Sequence, residues 1–130
     1  MTPIRIRALD HFVLVVLDID ATVAFYRRTL GLEAREIAPK RWALHFGSQK
    51  INLQQLHVSV DPQTRHPSRG AGDFCLLTDT PLAEVIAHLE RETIAIIDGP
   101  IERTGATGRI LSVYFYDPDE NLVEVSNLIS

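Results

Sequence analysis

Residues 9–16 read LDHFVLVV and residues 114–125 read YFYDPDENLVEV. The first is rich in β-branched and large apolar residues and predicts a buried strand. The second predicts a strand, an acidic turn over Asp117-Pro118-Asp119-Glu120-Asn121, and another strand over 122–127. Each apolar strand carries one misplaced polar residue, His11 in the first and Glu124 in the last. Side chains alternate along a strand, so His11 shares a face with Val13 and Val15, and Glu124 shares one with Leu122 and Ser126.

Working outward, Asp18 or Asp20 is placed to cap a helix whose apolar face is Val23, Phe25, Tyr26 and Leu30, with Gly31 at its stop. Strands are expected over 33–37, 41–46 and 50–56, with Gly47-Ser48 marking a hairpin. The same grammar then repeats. Residues 73–78 read as a strand, and Thr80-Pro81 as an N-cap followed by proline at the first helical position. A helix face follows, with Leu82, Val85, Ile86 and Leu89. Strands are expected over 94–97, 110–116 and 122–127. Residues 104–108 (TGATG) read as a flexible loop or a hairpin connection. The fold class is therefore α+β, with two βαβββ modules forming a curved mixed-sheet cup and helices outside. The expected organisation is a single domain over 1–130: module one over about 8–56, a linker over 57–72 containing two prolines and two glycines, and module two over about 73–127.

Bulk properties remove several function classes. The chain has 130 residues, 45% of them hydrophobic and 23% charged, as expected of one globular domain rather than a disordered chain. Its 13 basic residues are scattered and its net charge is −4, so nucleic acid is not an expected partner. The longest apolar run, 12–17, is too short to span a bilayer, and no signal peptide is visible. With a single cysteine, Cys75, no internal disulfide can form, and a cytoplasmic location is expected. Cys75 sits in an apolar run and is expected as a buried small hydrophobe.

A carboxylate embedded in an apolar strand needs a partner or a cation, and an imidazole beside it suits a divalent transition metal. The same two residues also fit a hydrogen-bonded core histidine and a solvated glutamate. His66 lies in the linker, His45 and His57 flank strand ends, and Trp42 is expected in core or dimer packing.

The stretches quoted above, with DIDATVAFYRRTLGLE over 18–33, resemble the vicinal oxygen chelate superfamily: glyoxalase I, fosfomycin-resistance, extradiol dioxygenase and bleomycin-resistance proteins. QKINLQQ, GPIERTGATG and SVYFYDPDENLVEVSN more specifically resemble a short subgroup of glyoxalase-domain or virulence-associated proteins. The resemblance implies a divalent metal ion (Zn, Ni, Mn or Fe) in a cup made by both modules. His11 matches the first-strand ligand of module one and Glu124 the last-strand ligand of module two. Two positions depart from the pattern, with Asp73 where histidine is usual and Asn52-Leu53-Gln54 where glutamate or histidine is usual. Asp73 retains ligand chemistry, whereas Asn52 and Gln54 are expected to face substrate. Arg103, Ser112 and Tyr114, with Arg109, resemble residues that hold an anionic phosphonate in fosfomycin-modifying relatives. The implied function is a metal-dependent lyase, isomerase, epoxide-opening or dioxygenase-type enzyme. It would chelate a small oxygenated substrate through two oxygens, with Glu124 as the catalytic carboxylate. The alternatives are a metal-free, drug-sequestering binding protein of the bleomycin-resistance type and a catalytically inert interaction domain. A homodimer is expected, because the module sheets leave strand edges to cover.

Overall fold

The computed structural model describes residues 3–129. Module one runs β1 (His11–Val16), α1 (Ile19–Leu30), β2 (Glu33–Ala38), β3 (Arg41–Phe46) and β4 (Gln49–Gln55). Module two runs β5 (Asp73–Leu77), α2 (Leu82–Arg91), β6 (Asp98–Thr104), β7 (Arg109–Tyr116) and β8 (Leu122–Leu128). Each module forms a four-stranded mixed sheet, ordered β1-β4-β3-β2 and β5-β8-β7-β6. In each, the first strand runs parallel to the last and the other pairings are antiparallel. The expected βαβββ repeat is the observed architecture.

Local chemistry explains the first helix well. Asp18 accepts a hydrogen bond from the Ala21 N–H at 3.1 Å, Arg27 and Arg28 occupy the last turn, and Gly31 closes the helix with a left-handed φ of 66°. Its Phe25 and Tyr26 enter a core that also takes Leu14, Val16, Leu44 and Ile51 from module one and Val113, Phe115 and Val123 from module two. One apolar cluster therefore joins both halves.

Two local expectations differ. The strand expected over 94–97 lies instead over Asp98–Thr104, and Ile94 and Ile96 are apolar because they pack against the core rather than because they alternate in a sheet. Thr80 does not cap α2. Pro81 occupies the cap position without a side-chain bond, and the Asn127 Oδ1 from β8 accepts from the Leu82 N–H at 2.8 Å.

The two modules are clasped at the turn 117–121. Buried Asp117 accepts from the backbone N–H groups of Asp119 and Asn121, from the Asn121 amide, and from the hydroxyl of Tyr26 on α1 at 2.6 Å. Buried Asp119 accepts from the Leu17 N–H and from Arg69 Nε, both at 2.9 Å, and from the Thr22 hydroxyl. Donors thus surround two carboxylates that would otherwise be costly to bury. The acidic turn is a structural knot, in keeping with its reading as a turn. Arg69 also forms a parallel bridge with Val15, which lays the linker along the free edge of β1.

Candidate functional site

Alternation decides which face each candidate uses. Leu14 and Val16 enter the core, so His11, Val13 and Val15 point to the opposite, outer face of sheet one. Val13 and Val15 are in register with Asn52 and Gln54 on β4, which places both on that same face. On module two, Val123 and Val125 enter the core, leaving Glu124 and Ser126 outward, beside Cys75 on β5 and Ser112 and Tyr114 on β7.

On module two the predicted residues converge. The Ser112 hydroxyl donates to Glu124 Oε2 at 2.6 Å and lies 2.6 Å from the Ser126 hydroxyl. Arg103 Nε donates to the Tyr114 hydroxyl at 3.1 Å, and its guanidinium stacks over the Tyr114 ring at 5.7 Å. Tyr114 and Arg103 join Glu124, Asp73, Asp98 and Tyr116 around a pocket of about 400 Å³. Burial and the nearby Glu124 charge raise the Tyr114 pKa against the opposing effect of Arg103, so its hydroxyl stays protonated as a hydrogen-bond donor. Arg103 is held cationic by that hydroxyl and by Asp98 and Glu124.

His11 stands apart from this group. It is exposed, its Nδ1 lies 2.8 Å from the carboxylate of Asp10, and its Nε2 is left for another partner. That contact lowers the Asp10 pKa and keeps it a carboxylate. His11 lines neither of the two pockets that hold the other candidates. Asp73 lines both, while Asn52 and Gln54 line the larger one, a cavity of about 1080 Å³ walled by sheet one, the linker and β5 of module two. Among the described residues, no group of three or more His, Cys, Asp and Glu is gathered as a metal cluster.

Three residues behave differently from the sequence expectation. Cys75 is exposed, on the same face as Glu124, and its thiol lies 3.2 Å from the Ser126 hydroxyl. Burial of the sulfur and the neighbouring Glu124 nevertheless raise its pKa, which disfavours the thiolate. His45 and Asn52 carry buried polar atoms, Nε2 and Oδ1, with no hydrogen-bond partner. By register His45 sits beside Lys50 on the outer face of sheet one, so it belongs to the candidate surface, although only its position near a strand end was legible. Trp42 packs against the core, as expected.

No helix among the described residues is long and apolar enough to cross a membrane.

Comparison with known proteins agrees with this architecture. Residues 8–125 match the family described as Glyoxalase/Bleomycin resistance protein/Dioxygenase superfamily. The chain is 45% identical over 121 residues to Virulence protein STM3117 of Salmonella typhimurium, covering 93% of this chain and 84% of that one. The crystal structure of that relative superposes with a TM-score of 0.95 over 97% of this chain and 100% of its own. Glyoxalase domain-containing protein RDO1 of Mycosarcoma maydis is 42% identical over 95% of this chain and 70% of its own length. A lactoylglutathione lyase from Agrobacterium tumefaciens is similar in structure, with a TM-score of 0.73 at 28% identity over 95% of each chain. The chain belongs to the glyoxalase/bleomycin resistance/dioxygenase superfamily.

Proposed function

We propose that the chain is a divalent-metal-dependent enzyme acting on a small oxygenated molecule, with His11 and Glu124 as the firm ligands and Asp73 as a third. The observation that carries this reading is the state of the two firm residues. His11 Nδ1 is tied to a carboxylate at 2.8 Å, the contact that commonly orients a metal-bound imidazole, and Nε2 is left to ligate. Glu124 Oε2 is anchored by the Ser112 hydroxyl at 2.6 Å. The donor types suit a divalent ion of the Zn, Ni, Mn or Fe class, and among the described residues of one chain no three or more of them are gathered in one place. The outer faces of both sheets carry exposed apolar residues, Val13 on one and Leu77 and Tyr116 on the other. These faces suit a homodimer in which the His11 face of one copy meets the Glu124 face of a second.

An ion so shared would polarise two neighbouring substrate oxygens. The chain's own residues do the rest. Asp10 fixes the histidine ring, Ser112 and Ser126 fix the glutamate, and the Arg103–Tyr114 pair presents a cation and a neutral hydroxyl to an anionic oxygen of the substrate. Glu124 is the group placed to accept a substrate proton.

Elemental analysis of the purified protein tests the reading: a bound divalent ion is expected, and His11→Ala and Glu124→Gln are each expected to reduce its content. Co-refolding His11→Ala with Glu124→Gln separates shared from single-chain ligation, because mixed dimers would regain one intact site and about a quarter of the wild-type metal. Metal content unchanged in both variants would end the proposal. The rival reading, a metal-free binding protein, is favoured by the large cavity beside sheet one.

A further inference from the structure

The cavity walled by sheet one, the linker and β5 adjoins the pocket around Glu124. Asp73 on β5 lines both. Cys75, two residues on and therefore on the same face, lines the cavity and is the in-register neighbour of Glu124 on β8. The two hollows thus meet along β5, with Glu124 at their junction. They differ in chemistry. The smaller one, about 400 Å³, holds the cation Arg103 and the Tyr114 hydroxyl. The larger one, about 1080 Å³, is walled in part by Leu9, Ile37 and Val58, each about half exposed. Its charges oppose one another, Lys40 and Arg41 against Asp61 and Asp73, so it has no net charge to select an ion. Apolar side chains left open to water around a hollow favour an apolar occupant.

We infer that the substrate is an amphiphilic anion, with a head of anionic oxygens that meets Arg103 and Tyr114 and an apolar body that passes Glu124 and Cys75 into the larger cavity. The inference names the substrate class of the proposed enzyme, and it rests on that reading for the head. Three carboxylates, Asp73, Asp98 and Glu124, line the smaller pocket. Asp98 lies 3.8 Å from the Arg103 guanidinium, and an anionic head is tolerated beside the other two when a metal ion neutralises them. The apolar body needs no ion. A head alone would leave the Leu9, Ile37 and Val58 surface in water, and burial against that surface is what the cavity adds.

Linear alkanoates from butyrate to octanoate, titrated calorimetrically into the full chain with one equivalent of Zn²⁺, test this. Affinity is expected to rise about threefold per methylene as the body enters the cavity. The matching alkanols should show the same rise from a weaker start. Val58→Asp, at an exposed position on the cavity wall, should flatten the rise and leave butyrate nearly unchanged. Arg103→Met should weaken every alkanoate about tenfold and leave the rise intact. An affinity that does not grow with length, a rise that survives Val58→Asp, or alkanols that bind as tightly as alkanoates would each overturn the inference. Chelator-treated protein separates the two readings. There the alkanoates are expected to weaken by one common factor. An unchanged series would end the metal reading and leave the length dependence standing, whereas a flat series in protein that holds its ion would end this inference alone.

Discussion

Replacing Tyr26 by phenylalanine removes one oxygen from the clasp between the modules. Tyr26 is fully buried, its hydroxyl donates to Asp117 Oδ2 at 2.6 Å, and Asp117 is itself 5% exposed. The ring stays, so its edge-on contact with Phe25 at 5.3 Å persists and no large cavity opens. What is lost is one of four hydrogen bonds to a buried carboxylate. A bond to a charged group is worth about 2 kcal/mol, so Tyr26→Phe should destabilise the protein by about that much. Urea unfolding should show a lower midpoint at an unchanged slope. A second signature comes from pH. Burial and the Asp117 charge push the Tyr26 pKa far above its ordinary value. Its stabilising effect is therefore complete below the unfolded tyrosine pKa near 10, and above it the unfolded chain ionises first. Wild-type stability should fall by about 1.4 kcal/mol per pH unit above roughly pH 10 through this residue, and the gap to the phenylalanine variant should narrow. A loss under about 0.5 kcal/mol at neutral pH, with parallel curves at alkaline pH, would refute the clasp.

Gly99→Ala should lower stability by about 3 kcal/mol or more, because Gly99 has a φ of +99° and a Cβ there would meet the Ser112 carbonyl oxygen at 2.3 Å; thermal unfolding measures it. Asn127→Ala should cost about 2 kcal/mol, since its side chain caps α2 and donates to the carbonyls of Thr78 and Thr80. Hydrogen exchange in the first turn of α2 should quicken accordingly. Light scattering should report a dimer, and Tyr116→Asp should shift it toward monomer if the exposed outer faces meet; a monomer at all concentrations would count against the shared site.

The repeat was readable because its signals are local. Alternation in 11–16, the cap at Asp18 and the stop at Gly31 each act within a few residues of where they are read. The sixth strand escaped because DGPIERT is an edge strand with a single partner, and its only large apolar residue is Ile101. The apolar run before it drew the assignment, although that run owes its character to core contact. The Asn127 cap and the Tyr26–Asp117 bond join residues 45 and 91 positions apart, which no local pattern reports. At the candidate site, alternation placed Glu124 on one face with Ser126, the family resemblance pointed to Ser112 and Tyr114, and the structure brings the four together. The separation of His11 from that group, and the orphaned amide of Asn52, follow from how the two modules pack rather than from any spacing along the chain.

The acidic turn has a consequence for how such a protein can change. Its carboxylates serve as rivets, engaged by Tyr26, Leu17, Thr22 and Arg69, and none of those contacts involves His11, Asn52, Asp73 or Glu124. Integrity and specificity are thus assigned to separate groups of side chains. A lineage built on this frame can swap a histidine for Asp73 or a glutamate for Asn52, trading one chemistry for another, while the rivets keep the two halves together.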